Sequence, residues 1–147
     1  MKVFLEKITS KNINKIKQLK IKKEQEDYIE SIDICLIEAQ KNKFWEARAI
    51  LKDEDIIGFT MFGYFQKENR VWLDRLLIDK KYQGYGYGKE AILLLIEEIK
   101  KIYNVSKIYL SVYDNNLKAI KLYKRLGFYF NGELDINGEL VMEKEIK

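Results

Sequence analysis

The segment Gln83–Lys89, QGYGYGK, places three glycines within seven residues, between a predicted apolar strand and the longest predicted helix. The whole chain of 147 residues has only eight glycines and no proline. Glycines allow positive φ angles and let backbone amides approach a ligand closely. A helix N-terminus directly after them favours an anion such as a phosphate group. The segment therefore predicts either a phosphate-binding loop or a tight strand-to-helix turn that binds nothing.

Two familiar nucleotide-binding motifs do not fit this segment. A Rossmann fingerprint, G-x-G-x-x-G, that begins at Gly84 would need a glycine where Lys89 stands. A P-loop that ends at Gly88-Lys89 would need a glycine at Gln83 and a serine or threonine at Glu90. If the loop binds a phosphate, it therefore belongs to a different class of site.

Along the chain, segments whose apolar residues have the spacing of a helix follow segments whose apolar residues have the spacing of a strand. Ile92, Leu95, Ile99 and Ile102 form the buried stripe of the helix after the glycines, and Lys107–Tyr113 alternates as a strand. The order predicted for the whole chain is β-α-α-β-β-β-α-β-α-β-β. This order indicates an α+β fold on a mostly antiparallel sheet. We expect residues 1–147 to form one domain, because a chain of this length can bury a core of its own.

The composition excludes several kinds of catalytic site. The chain has no histidine and one cysteine, Cys35. These counts exclude a Ser-His-Asp triad, a histidine zinc motif and an intrachain disulfide. We therefore expect no metal site, and we expect catalysis to depend on carboxylates, tyrosine, lysine, backbone amides or a bound cofactor.

The charge and hydropathy of the chain bear on its partners and location. The net charge of +4 comes from scattered lysines, which indicates a solvated surface rather than a nucleic-acid-binding one. No apolar run approaches the roughly 20 residues that cross a bilayer. The start of the chain, MKVFLEKITSKN, lacks the apolar core of a signal peptide. We expect a cytoplasmic protein with no membrane or nucleic-acid partner.

Two segments carry a resemblance to a known family. Gln83–Gly88 matches the signature Q/R-x-x-G-x-G/A, and Asn116–Phe128 matches N-x-x-A-x-x-L-Y-x-x-x-G-F. With these segments and this order of elements, the chain resembles the GNAT superfamily of acyl-CoA-dependent N-acyltransferases. The resemblance implies an α/β/α sandwich whose central strands splay apart. It also implies that acetyl-CoA is the acyl donor and cofactor.

The resemblance implies a set of cofactor-binding residues. The backbone of Leu76, Leu77 and Ile78 would pair with the pantetheine amides, and Asn116 would bind near the thiol end. The loop that would bind the pyrophosphate consists of Gln83, Gly84, Tyr85, Gly86, Tyr87, Gly88 and Lys89. We assign no separate role to Tyr85 and Tyr87.

Tyr123 and Asp74 are the predicted catalytic residues. A phenol with a pKa of about 10 can protonate a leaving thiolate with a pKa of about 8.5 when it lies at the sulfur. Tyr123 stands at the tyrosine of the N-x-x-A-x-x-L-Y-x-x-x-G-F segment, and the resemblance implies this acid role for it. Asp74, nine residues before Gln83, matches the carboxylate that polyamine acetyltransferases of the superfamily use as base, directly or through water. Alternatively, Tyr123 is a core residue and Asp74 a structural ion-pair partner. We expect Arg75 to face the opposite side of the sheet.

An acidic segment indicates the acceptor substrate. Residues 24–40 contain six acids and no base. The segment resembles that of bacterial spermine/spermidine acetyltransferases, and this implies that it binds the charged groups of a small polyamine. The predicted substrate-binding residues are Glu26, Asp27, Tyr28, Glu30, Asp33 and Asp74. The simpler alternative for the acidic residues is a solvated helix face.

Other functions remain open at this point. The acceptor could be a protein N-terminus, an aminoglycoside or an amino acid, or the domain could bind acyl-CoA without catalysis. Dimers are common in the superfamily, and the predicted C-terminal hairpin offers edge strands. We therefore expect a homodimer.

Overall fold

The computed structural model describes residues 3–26, 28 and 31–147. These residues form a seven-stranded sheet with the order β1-β2-β3-β4-β5-β7-β6. Only β4 and β5 pair in parallel within it. The strands are β1 (Val3–Lys7), β2 (Trp45–Lys52), β3 (Asp55–Phe65), β4 (Arg70–Ile78), β5 (Lys107–Val112), β6 (Tyr129–Leu134) and β7 (Leu140–Glu145).

Four α-helices lie in the described part of the chain. They are α1 (Ile13–Ile16), α2 (Ile32–Lys41), α3 (Tyr87–Ile102) and α4 (Leu117–Arg125). Short 3₁₀ turns at Lys23–Gln25 and Lys80–Tyr82 precede α2 and α3. The observed order confirms the predicted order and the α+β class. None of the helices in these described ranges is long and apolar enough to cross a membrane.

The helices cover both faces of the sheet and make an α/β/α sandwich. On one face, Ile16 of α1 and Leu36 of α2 pack on Phe59 of β3 in a core that contains Cys35. On the other face, Ile92, Leu95 and Ile99 of α3 pack against β4, β5 and β7, and α4 adds partly buried residues. The helical spacing of these α3 residues produces this face. Ile102, which was predicted for the same stripe, is 47 % exposed because α3 ends there.

The two central strands splay apart, as the resemblance implied. Along their described lengths, β4 and β5 pair at two positions, Val71 with Ile108 and Trp72 with Tyr109. β4 then continues along β3 to Ile78, while β5 continues along β7 to Val112. Since the two strands are parallel, their C-terminal ends lie on the same side of the sheet and the gap opens there.

Candidate active site

The gap between β4 and β5 forms part of a groove of about 980 Å³. The C-terminal half of β4 and the end of β5 line it, together with α4 and the loop before α3. Residues between α1 and α2 and residues of the β6–β7 turn also contribute to the lining. This volume lies at the upper end of the range for small-molecule and cofactor sites. The groove therefore has room for an extended ligand and a second, smaller one.

The glycine loop at this groove has the backbone that the sequence predicts. Gly84 and Gly86 both have φ of +85°, in the left-handed region that glycine adopts without strain. Gly86 directly precedes α3, and the amide of Glu90 is bonded to the Gly86 carbonyl at 3.2 Å. The amides of residues 87–89 therefore belong to the first turn of α3, where a helix offers no acceptor of its own. This arrangement fits a pyrophosphate, which needs several converging N–H donors.

Gly88, the last glycine of the loop, lies at a position with space for a small side chain. A Cβ atom there would lie 3.8 Å from Ile78 and 3.9 Å from Leu76, at ordinary contact distance. The position therefore has space for alanine, in agreement with the G/A ambiguity of the signature. Gly84, in contrast, has nothing within 4 Å of a built Cβ, so its requirement for glycine comes from the positive φ.

Gln83 uses its side chain to close the loop. Its amide nitrogen donates to the Ile78 carbonyl at 2.8 Å and to Oε1 of Gln25 at 2.8 Å. Gln83, Gly84, Gly86, Tyr87, Gly88 and Lys89 all line the groove. Tyr85 is 64 % exposed and lies outside the lining, beside Tyr87 at a ring distance of 6.0 Å.

The other predicted cofactor-binding residues line the groove from two elements. Leu76, Leu77 and Ile78 line it from β4. Asn116 lines it from the N-terminal end of α4, where its carbonyl accepts the first helical hydrogen bond from Ile120 at 3.1 Å. The backbone of β4 beyond Trp72 has left β5, so that edge of the strand can pair with the amides of a ligand.

Tyr123 lines the groove from α4 and packs its ring against Phe128 at a centroid distance of 5.7 Å. Burial raises the pKa of the Tyr123 phenol to about 12. The cause is desolvation, which disfavours the charged phenolate. The hydroxyl therefore remains protonated throughout the physiological pH range, which a proton donor requires.

Asp74 also lines the groove, and its carboxylate forms an ion pair with Arg75. Arg75 in turn pairs with Glu38 of α2 at 2.8 Å. The expectation that Arg75 faces the opposite side of the sheet is wrong, because both residues line the groove. The reason is a β-bulge. Leu73 aligns with Phe62 and Arg75 with Met61, so Asp74 is the extra residue that breaks the alternation of β4.

The acidic segment contributes two predicted residues to the groove, Glu26 and Tyr28. Tyr28 contacts Tyr113, at the end of β5, with a ring distance of 5.8 Å. Asp33 lies in the first turn of α2, is exposed and is outside the groove lining. Asp27 and Glu30 lie outside the described residues.

Several groove residues were not predicted from the sequence. Besides Arg75 and Glu38, the lining includes Tyr113 and two carboxylates of the β6–β7 turn, Asp135 and Glu139. Burial, and next the negative charge of Asp135, raises the pKa of Glu139. The hairpin itself was predicted from its Asn-Gly turn, but no local pattern indicates that this turn folds back to the groove.

The side chains that line the groove suit proton transfer and cation binding. Within residues 3–26, 28 and 31–147, no three His, Cys, Asp or Glu side chains are grouped so that they could hold a metal ion. The groove combines a loop for an anion, a partly buried phenol and carboxylates on several elements. This combination suits transfer of an acyl group from a phosphate-bearing donor to a cationic acceptor.

Comparison with known proteins identifies the family. Residues 13–128 match the model of the Acetyltransferase (GNAT) family. The chain belongs to this family and is an acetyl-CoA-dependent acetyltransferase.

Individual relatives are similar over nearly their whole length. The chain is 41 % identical to the spermine/spermidine N(1)-acetyltransferase of Bacillus subtilis strain 168, over 99 % of this chain and 100 % of the relative. It is 42 % identical to a probable spermine N(1)-acetyltransferase of Bacillus subtilis subsp. natto strain BEST195, with the same coverage. It also superposes on the spermidine N-acetyltransferase of Vibrio cholerae, solved with CoA and spermine. That superposition has a TM-score of 0.76 at 22 % identity and covers 97 % of this chain and 95 % of the other, which shows the shared fold.

Proposed function

We propose that the protein transfers an acetyl group from acetyl-CoA to a primary amine of a small polyamine such as spermidine or spermine. The observation that carries this proposal is that one groove combines a glycine loop suited to an anion with acidic and aromatic walls suited to a polycation. The two Bacillus relatives, similar over nearly the full chain, support the same substrate class.

The donor would bind along β4 and the glycine loop. The first-turn amides of α3 would hold the pyrophosphate, and the free edge of β4 at Leu76–Ile78 would pair with the pantetheine amides. Asn116 would bind near the thiol end. When bound, acetyl-CoA supplies an acetyl thioester, from which the sulfur leaves as the amine takes the acetyl group.

Tyr123 and Asp74 would move the protons. Tyr123 holds a proton at its hydroxyl for the leaving sulfur, because burial keeps the phenol neutral. Asp74 accepts a proton from the ammonium group of the acceptor, directly or through a water molecule. Its ion pair with Arg75 holds the carboxylate at the groove, where it would meet the acceptor.

The acceptor would be recognised by distributed charge. A polyamine carries several positive charges separated by methylene groups, so its site needs carboxylates spaced along an apolar or aromatic wall. Tyr28 and Tyr113 form an aromatic pair at the groove. Carboxylates reach the lining from four parts of the chain: Glu26, Glu38, Asp74, and the hairpin pair Asp135 and Glu139. Asp27 and Glu30, which lie outside the described residues, and the exposed Asp33 stay proposed contacts on the sequence argument alone.

An amine panel tests the proposal. We expect release of CoA thiol from acetyl-CoA with spermidine and spermine, faster than with putrescine, because the longer polyamines reach more of the carboxylates. An alanine-initiated peptide, an aminoglycoside and free amino acids serve as the competing acceptors. Turnover of one of these at a higher kcat/KM would overturn the polyamine assignment. Binding of acetyl-CoA without turnover of any amine would favour a non-catalytic acyl-CoA-binding domain.

We also propose that the protein is a homodimer that pairs through β6. This strand lies at the edge of the sheet, and its Tyr129, Phe130 and Leu134 are 41 %, 37 % and 64 % exposed. An edge strand with exposed apolar side chains is a template for pairing with a second chain. Sedimentation equilibrium should give twice the chain mass, and Phe130→Lys should lower it to the mass of one chain. A wild-type protein that sediments as a monomer at micromolar concentration would contradict this proposal.

We infer further that residues 1–147 act as one catalytic domain in the cytoplasm. The sequence has a single cysteine, Cys35, which is buried, so no intrachain disulfide can form, and this fits a reducing compartment. Cell fractionation that finds the protein outside the cytoplasm would contradict this location.

A further inference from the structure

We propose that Gln25 is a positioning residue that couples binding of the acceptor to binding of the donor at residues Gln83–Lys89, which we call the donor loop. The proposal rests on the proposed function and deepens it. Gln25 lies between α1 and α2 in a segment that we call the strap, which consists of residues 20–26 and Tyr28. The strap residues that line the groove are Ile21, Gln25, Glu26 and Tyr28. The strap thus carries the acceptor-facing Glu26 and Tyr28.

The strap and the donor loop are joined by a reciprocal pair of side-chain amides. Gln25 donates from Nε2 to Oε1 of Gln83 at 3.0 Å, and Gln83 donates back from Nε2 to Oε1 of Gln25 at 2.8 Å. The second proton of the Gln83 amide goes to the Ile78 carbonyl. Gln83 therefore connects the end of β4, the glycine loop and the strap through one side chain.

The orientation of Gln25 is fixed from within the strap as well. The backbone amide of Lys22 donates to Oε1 of Gln25 at 3.1 Å, and the residue closes the 3₁₀ turn Lys23–Gln25. Because this oxygen already accepts two hydrogen bonds, the side chain has a single satisfied arrangement. A shift of Gln83 would consequently displace the turn that precedes Glu26.

A second set of contacts holds the base of the strap near the start of the same loop. The amide of Lys80 donates to the Lys20 carbonyl at 2.7 Å, and the amide of Lys20 donates to Oδ2 of Asp79 at 3.0 Å. Asp79 is buried and also accepts from Lys81 through its other oxygen. These bonds fix the position of residue 20. The position of Glu26 and Tyr28, at the other end of the strap, then depends on the Gln25–Gln83 pair.

The far side of the strap meets the opposite wall of the groove through the ring contact of Tyr28 with Tyr113. The strap is therefore held against the donor loop at Gln25 and against the end of β5 at Tyr28. A donor that occupies the loop fixes Gln83, and through Gln25 it fixes the wall that receives the polyamine. By thermodynamic linkage, each ligand then raises the affinity of the other by the same factor.

Isothermal titration calorimetry on the full chain tests the coupling. The probes are CoA, which carries the pyrophosphate but no acetyl group, and spermidine. In the wild type we expect saturating CoA to tighten spermidine binding about fivefold to tenfold, within the usual range of coupling between sites. In Gln25→Ala we expect this factor to fall to about 1, with the affinity for CoA alone changed by less than about twofold.

Two further variants separate positioning from a merely structural role. Gln25→Glu can still accept from Gln83 but cannot donate, so its coupling factor should lie between those of the wild type and Gln25→Ala. Gln40→Ala removes an exposed glutamine of α2 outside the groove lining, and its coupling should equal that of the wild type. A structural role would instead weaken CoA binding and lower the melting temperature in Gln25→Ala.

The outcomes distinguish this inference from the proposed function. Spermidine acetylation with a wild-type coupling factor near 1, or unchanged coupling in Gln25→Ala, would overturn the role of Gln25 and leave the function standing. No binding and no acetylation of any polyamine would overturn both.

Discussion

Replacing Tyr123 by phenylalanine is expected to lower kcat by about 100-fold or more, the usual contribution of a positioned general acid. The substitution removes only the hydroxyl, so the ring contact with Phe128 should remain. The KM for acetyl-CoA should change little, because the glycine loop and β4 hold the donor. Steady-state kinetics with spermidine give both constants.

The matched control for this experiment is Tyr103→Phe. It makes the same change at a residue that is partly buried, like Tyr123, but lies outside the groove lining. We expect its kcat to equal that of the wild type. A Tyr123→Phe enzyme with wild-type kcat would remove Tyr123 from the mechanism and leave it as a core residue.

The pH dependence of the wild type adds a second readout for Tyr123. Proton donation requires the neutral phenol, and with a pKa of about 12 this form is lost only when the pH approaches 12. The rate should therefore show no descending limb from Tyr123 between pH 8 and about 10.5. A high pKa makes the phenol a weaker acid, so the transfer depends on the position of the hydroxyl at the sulfur as well as on its neutral form.

Replacing Asp74 by asparagine is expected to lower kcat/KM about 100-fold at pH 7 and to move the optimum to higher pH. The amine substrate is almost fully protonated at pH 7, and the variant lacks the carboxylate that would take its proton. Raising the pH supplies the neutral amine from solution and should recover part of the rate. Arg75 should stay in place in the variant, because it also pairs with Glu38.

Asp55→Asn is the corresponding control, since Asp55 is an exposed carboxylate at the start of β3 and lies outside the groove lining. Its pH–rate profile should match that of the wild type. If Asp74→Asn leaves the profile unchanged, Asp74 is not the base. The next residue to replace would then be Glu139, whose carboxyl has a raised pKa in the same groove.

The sequence predicted those features that depend on local pattern. The spacing of Ile92, Leu95 and Ile99 determines the buried face of α3, and the Asn-Gly pair determines the last hairpin. The positive φ angles of Gly84 and Gly86 follow from the alternation of glycines in one short loop. Each of these signals lies within a few residues of the structure that it determines.

The features that the sequence did not predict depend on contacts between distant segments. Arg75 joins the groove because a bulge forms where β4 pairs with β3, and strand alternation alone places the residue on the wrong face. Glu139 reaches the groove because β7 pairs with β5, more than twenty residues earlier in the chain. Asp33 faces solvent in the first turn of α2, which begins at Ile32 after the N-cap Ser31.

The two residue pairs that join β4 to β5 make the vertex of a wedge. Val71 and Ile108 are fully buried there, so their packing fixes the angle between the two arms. From Trp72 to Ile78 the strand extends by roughly 20 Å, and a rotation of about 3° at the vertex would displace its tip by about 1 Å. Misplacement by this distance is enough to cost an enzyme about 100-fold in rate. Val71 and Ile108 therefore set the distance between donor and acceptor. They do so from the narrow end of the wedge, where they contact neither ligand.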